Sequence, residues 1–163
     1  MQRTLGSDLS AHIGERVTLA GWIHALRQLG RVNFLQIRDR SGLSQVFLTK
    51  EEVGHLDGLL PESVVGVEGN VVAEPQAPGG CELHEPRIRV LSPVSEALPF
   101  PINKPDLEPH LDTFLNHAPV GLRHPVKKAT FRLAAGVMAG FRRTLDRMGF
   151  TEITTPKIVA SAT

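Results

Sequence analysis

Alternation of apolar and polar positions dominates residues 1–95 of the chain. Val17–Ala25 puts Val17, Leu19 and Ile23 on one parity, the period of a half-buried strand. Val32–Arg38 alternates again, with Leu35 and Ile37 toward a core and Phe34, Gln36 and Arg38 on the other side. Leu43–Leu48 follows the turn pair Ser41-Gly42 and sends Val46 and Leu48 inward. Over Lys50–Leu60 the period changes: Val53, Leu56, Leu59 and Leu60 fall at helical spacing, and Pro61 ends the run. Ser63–Val72 is a β-branched strand with Val65, Val67 and Val71 on one side. A loop with Pro75, Pro78, Gly79 and Gly80 then leads to a last strand expected around Arg87–Leu91.

Three strands, a helix and two more strands predict an all-β, five-stranded OB-fold barrel, its one helix lying between the third and fourth strands. Such barrels present strands two and three, with the adjoining loops, to oligonucleotides. The outward side of Val32–Arg38 offers an aromatic ring beside an amide and a cation, which suits a base drawn out of its stack and laid on a sheet. The same pattern also fits Phe34 as a second apolar layer under a loop.

From Pro93 to Pro125 the texture changes, because seven of the twelve prolines lie there. Leu98-Pro99-Phe100-Pro101-Ile102-Asn103-Lys104-Pro105 cannot be regular for long and reads as a stiff connector. A long helix follows, with Pro125 suited to its first turn and Gly149 to the position just past its end. Phe131, Ala134, Val137, Met138, Phe141, Leu145 and Met148 form its apolar stripe. A β-rich stretch from Phe150 to Val159 comes last. A helix and one strand cannot enclose a core by themselves, so the second domain reads as cut short. The expected division is a barrel over 1–95, a proline-rich hinge over 96–124, and the incomplete start of an α+β domain over 125–163.

Composition narrows the class without naming it. No apolar run approaches the roughly 20 residues needed to cross a bilayer, and the N-terminus has no signal-like apolar segment. Cys81 is the single cysteine, which excludes an intrachain disulfide and a thiolate cluster and suggests a cytoplasmic protein. Net charge is only +1, so a nucleic-acid contact has to come from local patches. His110, His117 and His124 recur at intervals of seven, but they sit in a proline-broken connector and no metal site is expected. Glu51-Glu52 reads as the acidic start of a helix, and Cys81 as an inert thiol.

Two segments resemble one known family. Ala20-Gly21-Trp22-Ile23, Leu29-Gly30, Phe34-Leu35, Ile37-Arg38-Asp39-Arg40-Ser41-Gly42 and Gln45-Val46 are similar to the anticodon-binding barrel of aspartyl-tRNA synthetases. Gly149-Phe150-Thr151-Glu152-Ile153-Thr154-Thr155-Pro156-Lys157-Ile158 resembles the first signature motif of class II synthetases, and Thr155–Ala160 the archaeal-type branch. The resemblance implies anticodon contacts by Phe34 (stacking), Gln45 (a base edge) and Arg27 (a base or phosphate). Arg27 shares parity with Ile23, so a bulge or the turn has to rotate it outward. Pro156 falls where the family places a proline at its dimer contact.

His24 and Pro78 stand where family members differ between strict charging of aspartate tRNA and relaxed charging of aspartate and asparagine tRNAs. A small imidazole and a proline without a donor imply the relaxed, non-discriminating type. Alternatively, His24 is a surface histidine and Pro78 a turn former. The resemblance further implies a full-length homodimer that uses ATP and Mg²⁺ to place L-aspartate on tRNA(Asp) and tRNA(Asn), with room for an amidotransferase partner and no membrane attachment. ATP, Mg²⁺ and catalytic residues are expected beyond Thr163, so no catalytic residue is expected in this chain and the chain alone is expected to be inactive. Two other readings compete: a fragment of an asparaginyl- or lysyl-tRNA synthetase, and a free-standing OB-fold tRNA-binding protein without catalysis.

Overall fold

The computed structural model describes residues 3–30 and 32–156. The chain divides into two compact units, Met1–Pro99 and Phe100–Thr163.

The first unit is a five-stranded barrel. Its strands are β1 (Arg16–Leu29), β2 (Val32–Arg38), β3 (Leu43–Leu48), β4 (Val64–Ala73) and β5 (Cys81–Ser92), in the closed order β1-β2-β3-β5-β4. All neighbours are antiparallel except β3 and β5, whose parallel pairing closes the ring. The OB-fold expectation holds, helix α1 (Lys50–Gly54) lying between β3 and β4. Strand β1 serves two neighbours: Arg16–Trp22 pairs with β4 and Trp22–Leu29 with β2. Gly21 sits at that change of partner, where a Cβ would stand 2.5 Å from the Arg38 carbonyl oxygen.

Inward positions of every strand meet in one core. Val17, Leu19, Ile23, Leu35, Ile37, Val46, Leu48, Val65, Val67, Val71, Cys81 and Leu83 are all buried there. Leu9, from a two-turn 3₁₀ segment at Gly6–His12, and Leu56, just past α1, complete it. Burial pushes the Cys81 thiol up from its ordinary range, away from the reactive thiolate.

Several boundaries differ from the sequence pattern. The expected helix over Lys50–Leu60 stops at Gly54 and continues as turns through Gly58, whose φ is +80°. It begins with a reciprocal cap: Glu52 N–H donates to Thr49 Oγ1, and Glu52 accepts from the Thr49 amide at 2.7 Å. The final strand starts at Cys81, six residues before Arg87, because β5 pairs with β4 and, over Glu82-Leu83, also with β3.

In the second unit the stretch read as a hinge carries helices α2 (Leu111–Asn116) and α3 (Ala118–Gly121), which precede α4 (Pro125–Arg147). His110 and His124 are the residues before α2 and α4, and His117 joins α2 to α3, so their regular spacing marks helix boundaries. Among the described residues no group of three metal-ligating side chains converges. Phe100 stacks on Phe114, with ring centres 6.5 Å apart. Gly149, with φ +84°, follows α4 as expected. The expected strand after α4 is absent over Phe150–Pro156: a strand needs a hydrogen-bonded neighbour, and these residues have no strand partner among those described. Lys157–Ala160 of the motif lies outside the described residues.

Candidate nucleic-acid interface

Four strands, β1, β2, β3 and β5, build one outward face. On β1, Ile23 pairs with Ile37 and Ala25 with Gln36, so His24 is an extra residue, a β-bulge. Beyond the bulge the parity of β1 is reversed, and Arg27 comes to stand opposite Phe34. Without that insertion Arg27 would share the inward side of Ile23. Leu29 then pairs with Val32 across a two-residue turn, in which Gly30 takes φ +74°.

The face is ordered in rows across the strands. Arg27 opposes Phe34, and Phe34 opposes Phe47. The two phenyl rings meet edge to face at 6.1 Å, and Phe47 in turn stacks on His84 of β5 at 5.0 Å. In the next row Gln36 opposes Gln45, and Gln45 opposes Glu82. Gln45 Nε2 donates to Glu82 Oε2 at 2.8 Å, and His84 Nε2 lies 2.8 Å from Oε1 of the same carboxylate. Arg27 is exposed, whereas Phe34, Gln45, Phe47 and His84 are half-buried. The result is an aromatic row beside a row of amides and a carboxylate, edged by one guanidinium.

At the β2–β3 end the face is closed by a buried network. Arg38 Nη2 lies 2.7 Å from Glu62 Oε1, its ring of charge sits over Trp22 at 5.7 Å, and its Nη1 donates to His24 Nδ1 at 3.3 Å. Arg38 and Glu62 are 7% and 4% exposed, so the cation expected on the open face is committed to an internal ion pair. Glu62 adopts φ +71°, a left-handed conformation that a non-glycine residue holds only where its surroundings demand it. Its amide donates to the Ile23 carbonyl at 2.8 Å, pinning the strand where it bulges.

His24 is therefore buried, at 8% exposure, and is not a surface histidine. Pro78 opens a short turn, Pro78–Gly80, in the β4–β5 loop, one of the two loops that frame the ligand face in this fold. The β2–β3 turn is fixed by Asp39, which accepts from Ser41 Oγ at 2.6 Å, from the Ser41 and Gly42 amides, and from the Gly6 amide at 2.9 Å. Burial alone would raise the Asp39 carboxyl; the hydrogen bonds from Ser41, Gly6 and Gly42 outweigh it and hold the carboxyl below its ordinary range.

The resemblance implies a shared surface for Arg27, Phe34 and Gln45, although Arg27 has core parity in the sequence, and the fold brings all three to one face. Sequence reasoning did not single out Phe47, Glu82 or His84. Phe47 was legible from its shared parity with Gln45. Glu82 and His84 depend on the parallel register of β5 beside β3, which no local pattern encodes. Pro156 lies in the second unit and is exposed.

The model of the tRNA anticodon OB-fold nucleic acid binding domain matches residues 17–91, the span of the barrel strands. The Aspartate–tRNA(Asp/Asn) ligase of Thermus thermophilus is 45% identical over 157 residues, covering 96% of this chain and 36% of the relative. Its curated homologues are aspartate–tRNA(Asp/Asn) ligases. The Methanopyrus kandleri ligase of the same name is 42% identical over 156 residues, covering 92% of this chain and 36% of its own length. Among solved structures, asparaginyl-tRNA synthetase from Pyrococcus horikoshii, complexed with asparaginyl-adenylate, superposes with a TM-score of 0.79 at 30% identity, over 93% of this chain and 36% of that one. Backbone shape is thus shared with an asparagine enzyme, while sequence identity is higher to the aspartate–tRNA(Asp/Asn) ligases. The chain spans about a third of the length of the curated relatives it matches.

Proposed function

We propose that this chain is the anticodon-reading part of a ligase that activates L-aspartate with ATP, assisted by Mg²⁺, and transfers it to tRNA. The observation that carries the reading is the Arg27–Phe34–Phe47 row beside Gln45, on the strands an OB-fold uses for oligonucleotides. Phe34 offers a face for stacking, Gln45 a donor and an acceptor for a base edge, and Arg27 a guanidinium for phosphate or base. None of these groups can form an adenylate or an ester, so the chemistry belongs to residues other than those of this face.

The tRNAs we propose are tRNA(Asp) and tRNA(Asn). The relatives are named for both, and the two positions that bear on the choice fit relaxed reading. His24 is buried and folded back onto Arg38, and Pro78 has no N–H to donate, which fits a loosely read base. Aspartate on tRNA(Asn) has to be converted to asparagine by amide transfer, which makes an amidotransferase the partner to look for. A homodimer with Pro156 at its contact completes the proposal. It is supported by the exposed apolar stripe of α4, where Phe131, Val137 and Phe141 stand in water. Among the described residues no helix is long and apolar enough to cross a membrane.

The test is aminoacylation by the full-length protein with ATP, L-aspartate and each purified tRNA. Charging of both tRNAs is expected. Charging of tRNA(Asp) alone would remove the roles given to His24 and Pro78, and charging with asparagine in place of aspartate would overturn the proposal.

A further inference from the structure

A hydrogen-bonded relay on the outward face is not used by the reading above. Glu82 is 5% exposed, and a carboxylate so far removed from water requires donors. His84 Nε2 serves Oε1 and Gln45 Nε2 serves Oε2, each at 2.8 Å. A carboxylate only accepts, so both neighbours are forced into one orientation. His84 carries its proton on Nε2, and Gln45 turns its amino group, not its carbonyl, toward Glu82. The carbonyl oxygen and second N–H of Gln45 are what remain for a ligand. His84 is held in turn by its stack on Phe47, with the ring planes 6° apart.

We propose that His84 is a positioning residue for base reading: by holding Glu82 it fixes which end of the Gln45 amide meets the base, and so sets discrimination at the anticodon position Gln45 reads. The inference rests on anticodon reading by this face. Without the His84 N–H, Glu82 Oε1 loses its donor and the carboxylate competes for both hydrogens of Gln45. The amide then no longer presents one fixed pattern. Phe34 keeps its ring, so stacking survives while selectivity at one position falls.

Binding of the chain to the tRNA(Asp) anticodon stem-loop, and to stem-loops with each anticodon base changed singly, tests this. Gln45→Ala identifies the position read. His84→Phe keeps a ring against Phe47 but offers no N–H; His84→Gln keeps an N–H without the ring. His84→Phe is expected to lower the ratio of cognate to substituted affinity by about tenfold, at the Gln45 position alone. His84→Gln should restore most of it, and combining His84→Phe with Gln45→Ala should be no worse there than Gln45→Ala alone. An unchanged ratio in His84→Phe, or a loss spread evenly over all three positions, overturns the proposal. If Gln45→Ala alters no ratio at all, anticodon reading by this face fails instead, and the positioning role falls with it.

Discussion

Arg27 on β1 stands directly across the ladder from Phe34 on β2, and His24 is the extra residue that puts it there. One inserted position turns a side chain with core parity into a cation beside a stacking ring. The same residue is held from below by Arg38, so the bulge belongs both to the stability of the barrel and to the composition of its outer face.

Replacing Phe34 by Ala is expected to weaken binding of a tRNA(Asp) anticodon stem-loop by about 1–3 kcal/mol, the usual worth of one base–aromatic stack. Titration of the stem-loop into the chain measures it. Unchanged affinity would make Phe34 only a partner for Phe47.

Arg38→Ala removes the guanidinium that lies 2.7 Å from the enclosed Glu62 carboxylate, and is expected to destabilise the barrel by about 3–5 kcal/mol. Replacing both residues, Arg38→Met with Glu62→Leu, should recover most of that loss, because the buried ion pair is replaced by apolar side chains. Denaturant unfolding of the three variants decides the point; a double variant no more stable than Arg38→Ala would contradict it.

Gly21→Ala would drive a Cβ against the Arg38 carbonyl and the Ile37 side chain, at 2.5 and 2.7 Å, and should cost about 1–3 kcal/mol. At Gly42 nothing lies within 4 Å, and the same substitution there should change stability by less than about 0.5 kcal/mol. Thermal unfolding of the pair provides the comparison.

The fold was largely legible where structure is local. β2 and β3 follow their alternation, and α4 follows its stripe and its two end signals. Alternation marks β1 only as far as Ala25, because the bulge reverses its parity after His24 and leaves Leu29 exposed. The start of β5 is not legible locally, because Pro86 interrupts it and its pairing partners lie far away in sequence. The same distinction governs the face: Phe34 and Gln45 could be placed from parity alone. The withdrawal of Arg38 into the interior could not, because it depends on Glu62 arriving from the connection before β4.

The Asp39 turn should give the barrel an acid-sensitive component. The folded carboxyl is held below the ordinary value of 3.8, so its contribution is complete above that value and is lost as pH falls through the folded pKa. In unfolding measurements against pH, the stability difference between the native chain and Asp39→Asn should shrink below about pH 4. A difference constant down to pH 2 would show that the hydrogen bonds to Asp39 do not favour its charged form.

Anticodon reading by the β1–β2–β3–β5 face is the central functional claim. Competition between the tRNA(Asp) anticodon stem-loop and the same stem-loop with all three anticodon bases replaced, on the native chain and on Phe34→Ala, measures this directly. Preference for the native anticodon, lost in large part on Phe34→Ala, is the predicted result. Equal affinity for the two stem-loops on the native chain would contradict it.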